Sequence, residues 1–200
     1  GLRSIPALLR RNAELHGAAP AYREKEYGIW QSWTWAQTEE QIEALALGLL
    51  DLGVAPGEFV AVIGHNRPYL YWSMVAVQMI GAVPVPLYQD AAAEEMEYVL
   101  IHCGARLVIA ADQEQVDKVI GVQDACPQFE ELIYLDPKGL RKYDHAHLRA
   151  FQAAQAQGRA QLGDLREELA PRRALLGSVD IGVMRDTLGT TGKPQGVISS

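Results

Sequence analysis

Hydrophobic positions along this chain follow two alternating rhythms, one of helical spacing and one of short unbroken runs. The opening residues 1–17 are amphipathic rather than continuously apolar. Thr34 followed by Gln37 has capping-box spacing, in which hydroxyl and amide satisfy free N–H groups at a helix start. Ile42, Leu45, Ala46 and Leu49 then recur at helical spacing, and Gly53 supplies the stop. After the turn Val54-Ala55-Pro56-Gly57, the β-branched run Phe59-Val60-Ala61-Val62-Ile63 predicts a strand buried on both faces. The unit repeats. A helix from about Pro68 ends at Gly81, and Val83-Pro84-Val85-Pro86-Leu87 follows as a short or edge strand, because proline gives no ladder donor. A helix from Ala92 to about Cys103 ends at Gly104 and feeds Leu107-Val108-Ile109-Ala110. A helical stretch from Gln113 to Ile120 precedes Leu132-Ile133-Tyr134-Leu135.

Strands alternating with helices of this length predict an α/β fold, a mainly parallel sheet with helices on both faces. Residues 144–170 break the rhythm. They are rich in Ala, Gln and Arg, with Gly158 and Gly163 among them, and read as one or two exposed connecting helices. A last strand is expected at Ile181-Gly182-Val183-Met184. The expected organisation is an α/β subdomain over residues 1–178, with the helical connection at about 144–170. Residues 179–200 then open a second subdomain with a strand and a loop.

Composition narrows the function classes. Two hundred residues, 48% apolar and 22% charged, suit a folded soluble domain rather than a disordered chain. A net charge of −7 with scattered basic pairs, Arg10–Arg11 and Arg172–Arg173, argues against nucleic acid as the main partner. Cys103 and Cys126 make no CxxC pair and no disulfide framework, and no secretory signal opens the chain, so reduced thiols in the cytoplasm are expected. The longest apolar run, Tyr69 to Val83, is too short to span a bilayer and reads as a buried helix followed by a strand.

The most informative segment is Thr187-Leu188-Gly189-Thr190-Thr191-Gly192-Lys193-Pro194-Gln195-Gly196-Val197. Glycines let backbone N–H groups approach phosphate oxygens, while threonine hydroxyls and a lysine add donors and charge. It is not a Walker A loop, which has four residues between its glycines and Ser or Thr after the lysine. It resembles the phosphate-loop signature Y-T-S-G-T-T-G-x-P-K-G-V of the adenylate-forming superfamily. Thr187, Gly189, Thr190, Thr191, Gly192, Pro194, Gly196 and Val197 match in register. Ser32-Trp33-Thr34-Trp35, the stretch Gly48–Val54, and Gly81-Ala82-Val83-Pro84-Val85-Pro86-Leu87 resemble earlier segments of the same family. Asp180 fits too, so the resemblance covers nearly the whole chain. Trp30 with Trp33-Thr34-Trp35, Asn66-Arg67-Pro68, and Pro86-Leu87-Tyr88-Gln89-Asp90 lean toward its long-chain fatty acyl-CoA synthetases.

That resemblance implies part of the large N-terminal domain of an adenylate-forming enzyme. It implies an AMP-forming acid–thiol ligase that joins a fatty acid to ATP, with Mg²⁺, to give an acyl-adenylate and pyrophosphate. Coenzyme A then takes the acyl group as a thioester. Thr187, Gly189, Thr190, Thr191, Gly192 and Lys193 would hold the β- and γ-phosphates. The family's catalytic lysine and adenine- and ribose-binding motifs fall after this loop, so the chain is expected to be a fragment, inactive alone, with no catalytic residue of its own. Three positions depart from the pattern. Leu188 replaces serine, Gln195 a lysine and Asp186 a tyrosine, and each change weakens anion binding on electrostatic grounds. A fatty acyl-AMP ligase and a non-catalytic assembly module are the alternative readings.

Other chemistry-bearing residues fall to plainer explanations. Asp144, His145 and His147, and His102 beside Cys103, lack metal-ligand spacing and read as surface or core histidines. Glu39-Glu40 and Glu94-Glu95-Met96-Glu97 read as solvated helix faces. Tyr69–Trp72 reads as helix packing against the sheet. The expected partners are small molecules, with no transmembrane segment.

Overall fold

The computed structural model describes residues 4–161, 167, 169, 183–187 and 195–199, with side chains left out at 185–187 and 195–199. Helix α1 (Ile5–His16) starts at Ser4, whose hydroxyl accepts from Ala7 N–H. A hairpin of β1 (Pro20–Glu26) and β2 (Ile29–Thr34) follows. Helix α2 (Trp35–Asp51) opens on the predicted capping box. Gln37 N–H donates to Thr34 Oγ1 at 3.2 Å and Thr34 N–H to Gln37 Oε1 at 3.0 Å. Next come β3 (Phe59–Ile63), α3 (Pro68–Met79), β4 (Val83–Leu87), α4 (Ala93–Cys103), β5 (Leu107–Ala110), α5 (Gln113–Val122) and β6 (Glu131–Tyr134). Strand β7 (Leu148–Ala150), helix α6 (Phe151–Ala160) and the hairpin β8 (Val183–Thr187) with β9 (Gln195–Ser199) complete the described elements.

Strands β3 to β7 form one parallel sheet in the order β4-β3-β5-β6-β7. Side-chain alternation along the strands splits their apolar runs between two layers. Val60, Val62, Leu107, Ile109 and Ile133 pack under α2, α3 and α6. Ala61, Ile63, Val85, Val108, Ala110 and Leu132 pack under α4 and α5. Helices therefore cover both faces, as the pattern predicts, and β4 with its two prolines lies at an edge of this sheet. Gly104 ends α4 at φ +65°, the left-handed geometry that glycine adopts without penalty.

Two expectations change. Residues 144–170 are not exposed connectors where the structure describes them. Their first part adds β7 to the sheet, and α6 packs tightly on α2, burying Phe151, Ala154, Gln155 and Gly158. The cause is a glycine at each side of the crossing, Gly48 on α2 and Gly158 on α6, which lets the backbones approach. The last strand also runs to Thr187, further than the expected Ile181–Met184, of which residues 181 and 182 lie outside the described residues. Strand β8 lies alongside β4, and Met184 joins the α4–α5 side of the core.

The Tyr69–Trp72 cluster is buried packing, as expected. It joins α3 to the first hairpin and to α6 rather than to the sheet alone. Trp72 meets Trp33 edge-on at 5.3 Å, Tyr22 at 6.2 Å and Tyr69 at 5.0 Å, and Tyr69 meets Phe151 at 5.7 Å. Such edge-to-face pairs add to area burial by about 1 kcal/mol each.

Candidate phosphate-binding hairpin and the carboxyl edge of the sheet

Strands β8 and β9 pair antiparallel, Val183 with Ser199, Arg185 with Val197, Asp186 with Gly196 and Thr187 with Gln195. The pair Thr187–Gln195 thereby sets the two flanks of the segment 188–194 opposite each other. That segment holds Leu188, Gly189, Thr190, Thr191, Gly192, Lys193 and Pro194, which lie outside the described residues. The hairpin brings Thr187, Asp186 and Gln195 to the base of that segment as backbone. A loop held across a hairpin mouth can present consecutive N–H groups to one anion.

The carboxyl edge of the parallel sheet brings together residues that, Arg67 and Gln89 apart, the sequence pattern did not single out. The order β4-β3-β5-β6-β7 reverses direction between β3 and β5, the place where open α/β sheets form a ligand crevice. Here that place is closely packed. A Cβ on Gly64, just after β3, would lie 2.7 Å from the Ala111 Cβ after β5. His65 Nε2 sits 3.5 Å from Asp112 Oδ2, and Asp112 also caps α5 by accepting from Gln115 N–H at 3.2 Å. Lys118 Nζ donates to the Gln89 carbonyl at 2.7 Å and pairs with Glu114 at 2.9 Å.

The first hairpin straps this edge. Arg67, after β3, bonds Glu24 and Glu26 on β1, and the Glu24 bond raises its pKa above the ordinary guanidinium value. Lys138, after β6, donates to Tyr27 Oη at the hairpin tip, and that bond raises its pKa. The sequence marks Arg67 within Asn66-Arg67-Pro68 but not its partners, because Arg67, Lys138, Glu24 and Tyr27 converge only through the fold.

The histidine candidates have ordinary surroundings. The His102 ring stacks on Tyr98 at 5.7 Å, and the buried Cys103 thiol donates to Leu100 O at 3.7 Å. His145 lies beside Tyr143 and His147 beside Phe129. Neither cysteine forms a disulfide, and both are buried. Among the described residues no group of His, Cys, Asp and Glu could hold a metal ion, and no helix is long and apolar enough to cross a membrane.

Comparison with known proteins agrees with the motif. The chain is 31% identical over 171 residues to a long-chain-fatty-acid–CoA ligase, FadD15, of Mycobacterium bovis, covering 84% of this chain and 26% of that protein. It is 24% identical to the long-chain-fatty-acid–CoA ligase heimdall of Drosophila melanogaster, covering 98% of this chain and 29% of that one. The chain thus spans about a quarter of the length of the curated relatives it matches. Its fold matches a putative long-chain-fatty-acid CoA ligase of Rhodopseudomonas palustris with TM-score 0.74 at 22% identity, covering 98% of this chain and 44% of that one. It matches the anthranilate CoA ligase AuaEII, solved in complex with anthranoyl-AMP, with TM-score 0.74 at 20% identity, covering 99% and 35%. The family model for AMP-binding enzymes matches residues 9–200, and the chain belongs to the AMP-binding enzyme family.

Proposed function

We propose that these residues serve an ATP-dependent acyl-CoA synthetase acting on long-chain fatty acids. The observation that carries the reading is the family match over residues 9–200, together with a hairpin whose paired residues Thr187 and Gln195 flank the motif segment 188–194. The relatives named above supply the substrate class. In this reading residues 1–178 form one subdomain and the β8–β9 hairpin opens the next. ATP arrives as its Mg²⁺ complex. Thr187, Gly189, Thr190, Thr191, Gly192 and Lys193 hold the β- and γ-phosphates while the fatty carboxylate attacks the α-phosphorus. One P–O bond forms to the acyl oxygen and pyrophosphate leaves. Fixed donors offset the repulsion between a polyanion and a carboxylate. Coenzyme A then displaces AMP to form the thioester.

A second reading, a module that has lost catalysis, is favoured by Asp186, Leu188 and Gln195, and a fatty acyl-AMP ligase, which stops after the first half-reaction, is the remaining alternative. Each of the three residues removes a donor or adds negative charge beside the anion. The test is pyrophosphate release by the full-length protein with ATP, Mg²⁺ and fatty acids of several lengths, with and without coenzyme A. Release together with acyl-CoA supports the synthetase. Release with acyl-AMP as the end product supports the ligase. No release with any fatty acid refutes both and leaves the non-catalytic module.

A further inference from the structure

The hairpin that straps the carboxyl edge carries different chemistry on its two faces. Alternation along β1 puts Tyr22, Glu24 and Glu26 inward, where Tyr22 meets Trp72 and both glutamates meet Arg67. Arg23 and Lys25 are left outward and exposed. β2 adds Trp30 to that outer face, directly across from Lys25, with the Arg23 guanidinium 5.0 Å from its ring centre. The tip extends the patch. Tyr27 is 78% exposed, Ile29 65% and Trp30 58%, three large side chains within four residues. Lys138 Nζ lies 4.7 Å from the Tyr27 ring centre.

The turn itself supplies an independent observation. Tyr27 at φ +48° and Gly28 at φ +82° link the paired residues Glu26 and Ile29. A two-residue turn with both φ positive favours Asn or Asp before Gly. A bulky ring at that first position carries backbone strain. The sequence thus keeps an exposed aromatic at the tip against local backbone preference.

We propose that the tip and outer face of this hairpin form a docking surface for an anionic lipid bilayer. Tyr and Trp rings suit the headgroup boundary, Ile29 adds exposed apolar area at the tip, and Arg23 and Lys25 meet headgroup phosphates. The acidic groups near the patch are already engaged, Glu24 and Glu26 by Arg67 and Asp136 by Lys138 at 3.7 Å. The overall charge of −7 does not decide the matter, because charges beyond about 10 Å are screened at 0.1 M salt.

The test is cosedimentation of the full chain with phosphatidylcholine vesicles, with and without phosphatidylglycerol, at low and high salt. Binding is expected only with phosphatidylglycerol present, and weaker in high salt. Arg23→Gln with Lys25→Gln removes two cations worth about fivefold each, so partitioning falls by at least about tenfold. Ile29→Ser with Trp30→Ser weakens it comparably. Tyr27→Asn separates docking from folding. It puts a favoured residue into the turn, which offsets the lost Lys138 bond, and keeps Tm within about 2 °C of the parent while lowering vesicle binding. A purely structural Tyr27 would lose stability in the same variant and leave binding unchanged. The proposal is overturned by absence of binding to phosphatidylglycerol vesicles, by equal binding to neutral ones, or by variants that bind as the parent does. It is also overturned if Trp30→Ser changes only self-association in sedimentation velocity, which would assign the face to a second copy.

Discussion

Alanine at Gly48 is the sharpest perturbation the structure offers. A Cβ there would sit 2.2 Å from Ala154 O and 2.8 Å from Ala154 C, and one at Gly158 would sit 2.2 Å from Ala44 O and 2.6 Å from Gly48 N. The obstructing atoms are backbone, so no rotamer relieves them. The α2–α6 crossing must open by about 1 Å to reach ordinary contact, and a gap of that size forfeits up to about half of the dispersion well of each contact. Overpacking of this kind costs about 1–3 kcal/mol, while alanine in a helix interior returns about 1 kcal/mol of propensity. Opening the crossing also disturbs Gln155, whose amide donates to Gln41 O at 2.9 Å and to Gln41 Oε1 at 3.0 Å. The net expectation is a loss of about 1–2 kcal/mol for Gly48→Ala, and a fall in Tm of about 2–8 °C. Gly121 on α5 is the control, since a Cβ there meets nothing within 4 Å. Gly121→Ala should gain up to about 1 kcal/mol from propensity alone. Urea unfolding followed by circular dichroism measures both variants beside the parent. If Gly48→Ala proves as stable as Gly121→Ala, the close crossing is not what holds α6.

Arg106 ties three segments at the amino edge of the sheet. It pairs with Glu58 at 2.7 Å and Glu130 at 2.7 Å, and donates to Leu52 O at 3.1 Å. Arg106→Met should cost about 1–3 kcal/mol in urea unfolding, discounted for partial exposure, and less when Glu58 is also Gln. At the phosphate loop, Asp186→Tyr with Leu188→Ser and Gln195→Lys should tighten ATP binding in the full-length protein by at least about tenfold, measured by calorimetry; unchanged affinity refutes the electrostatic reading of these positions. Burial, with Glu97 adding to it, pushes the Cys126 thiol above its ordinary pKa. The unfolded thiol therefore ionises first, and stability falls as pH rises from about 8.5 towards the folded value. Cys126→Ala should flatten that slope, and native Cys126 should resist thiol reagents at pH 8 until the chain unfolds.

The repeating strand–helix units were legible because their signals are local. Thr34 and Gln37 cap within one turn, Gly53 and Gly104 end helices by backbone geometry, and the strands are short β-branched runs. The β1–β2 hairpin was not legible, since Tyr27-Gly28 is an unfavoured turn pair and Arg23-Glu24-Lys25-Glu26 is charged at every position. Strand β7 is only three residues long, too short for a pattern. The seat of α6 was hidden for another reason. Gly158 in an Ala- and Gln-rich stretch reads as a helix breaker, and its role as a contact surface depends on Gly48, far away in sequence. The segment 187–197 stands out in the sequence as a motif, though most of it lies outside the described residues, whereas Arg67, His65, Asp112 and Lys138 at the carboxyl edge come together only through topology.

The two prolines of β4 govern how the main sheet meets strand β8. Val83 N–H donates to Glu58 O at 2.8 Å, so odd-numbered positions of β4 turn their N–H groups toward β3. In a parallel strand successive amides point to opposite sides, which puts the nitrogens of Pro84 and Pro86 on the outer side. The β3–β4 ladder loses nothing, with Val60 paired to Pro84 and Val62 to Pro86. The outer edge loses two donors, and an edge without donors is a poor template for another strand. Strand β8 lies along this edge yet pairs with β9, and the two make a separate two-stranded sheet among the described residues. Valines at both positions would restore those donors and invite β8 into the main ladder. The prolines thus let the hairpin lean on the core through Met184 while β8 stays outside the register of the main sheet.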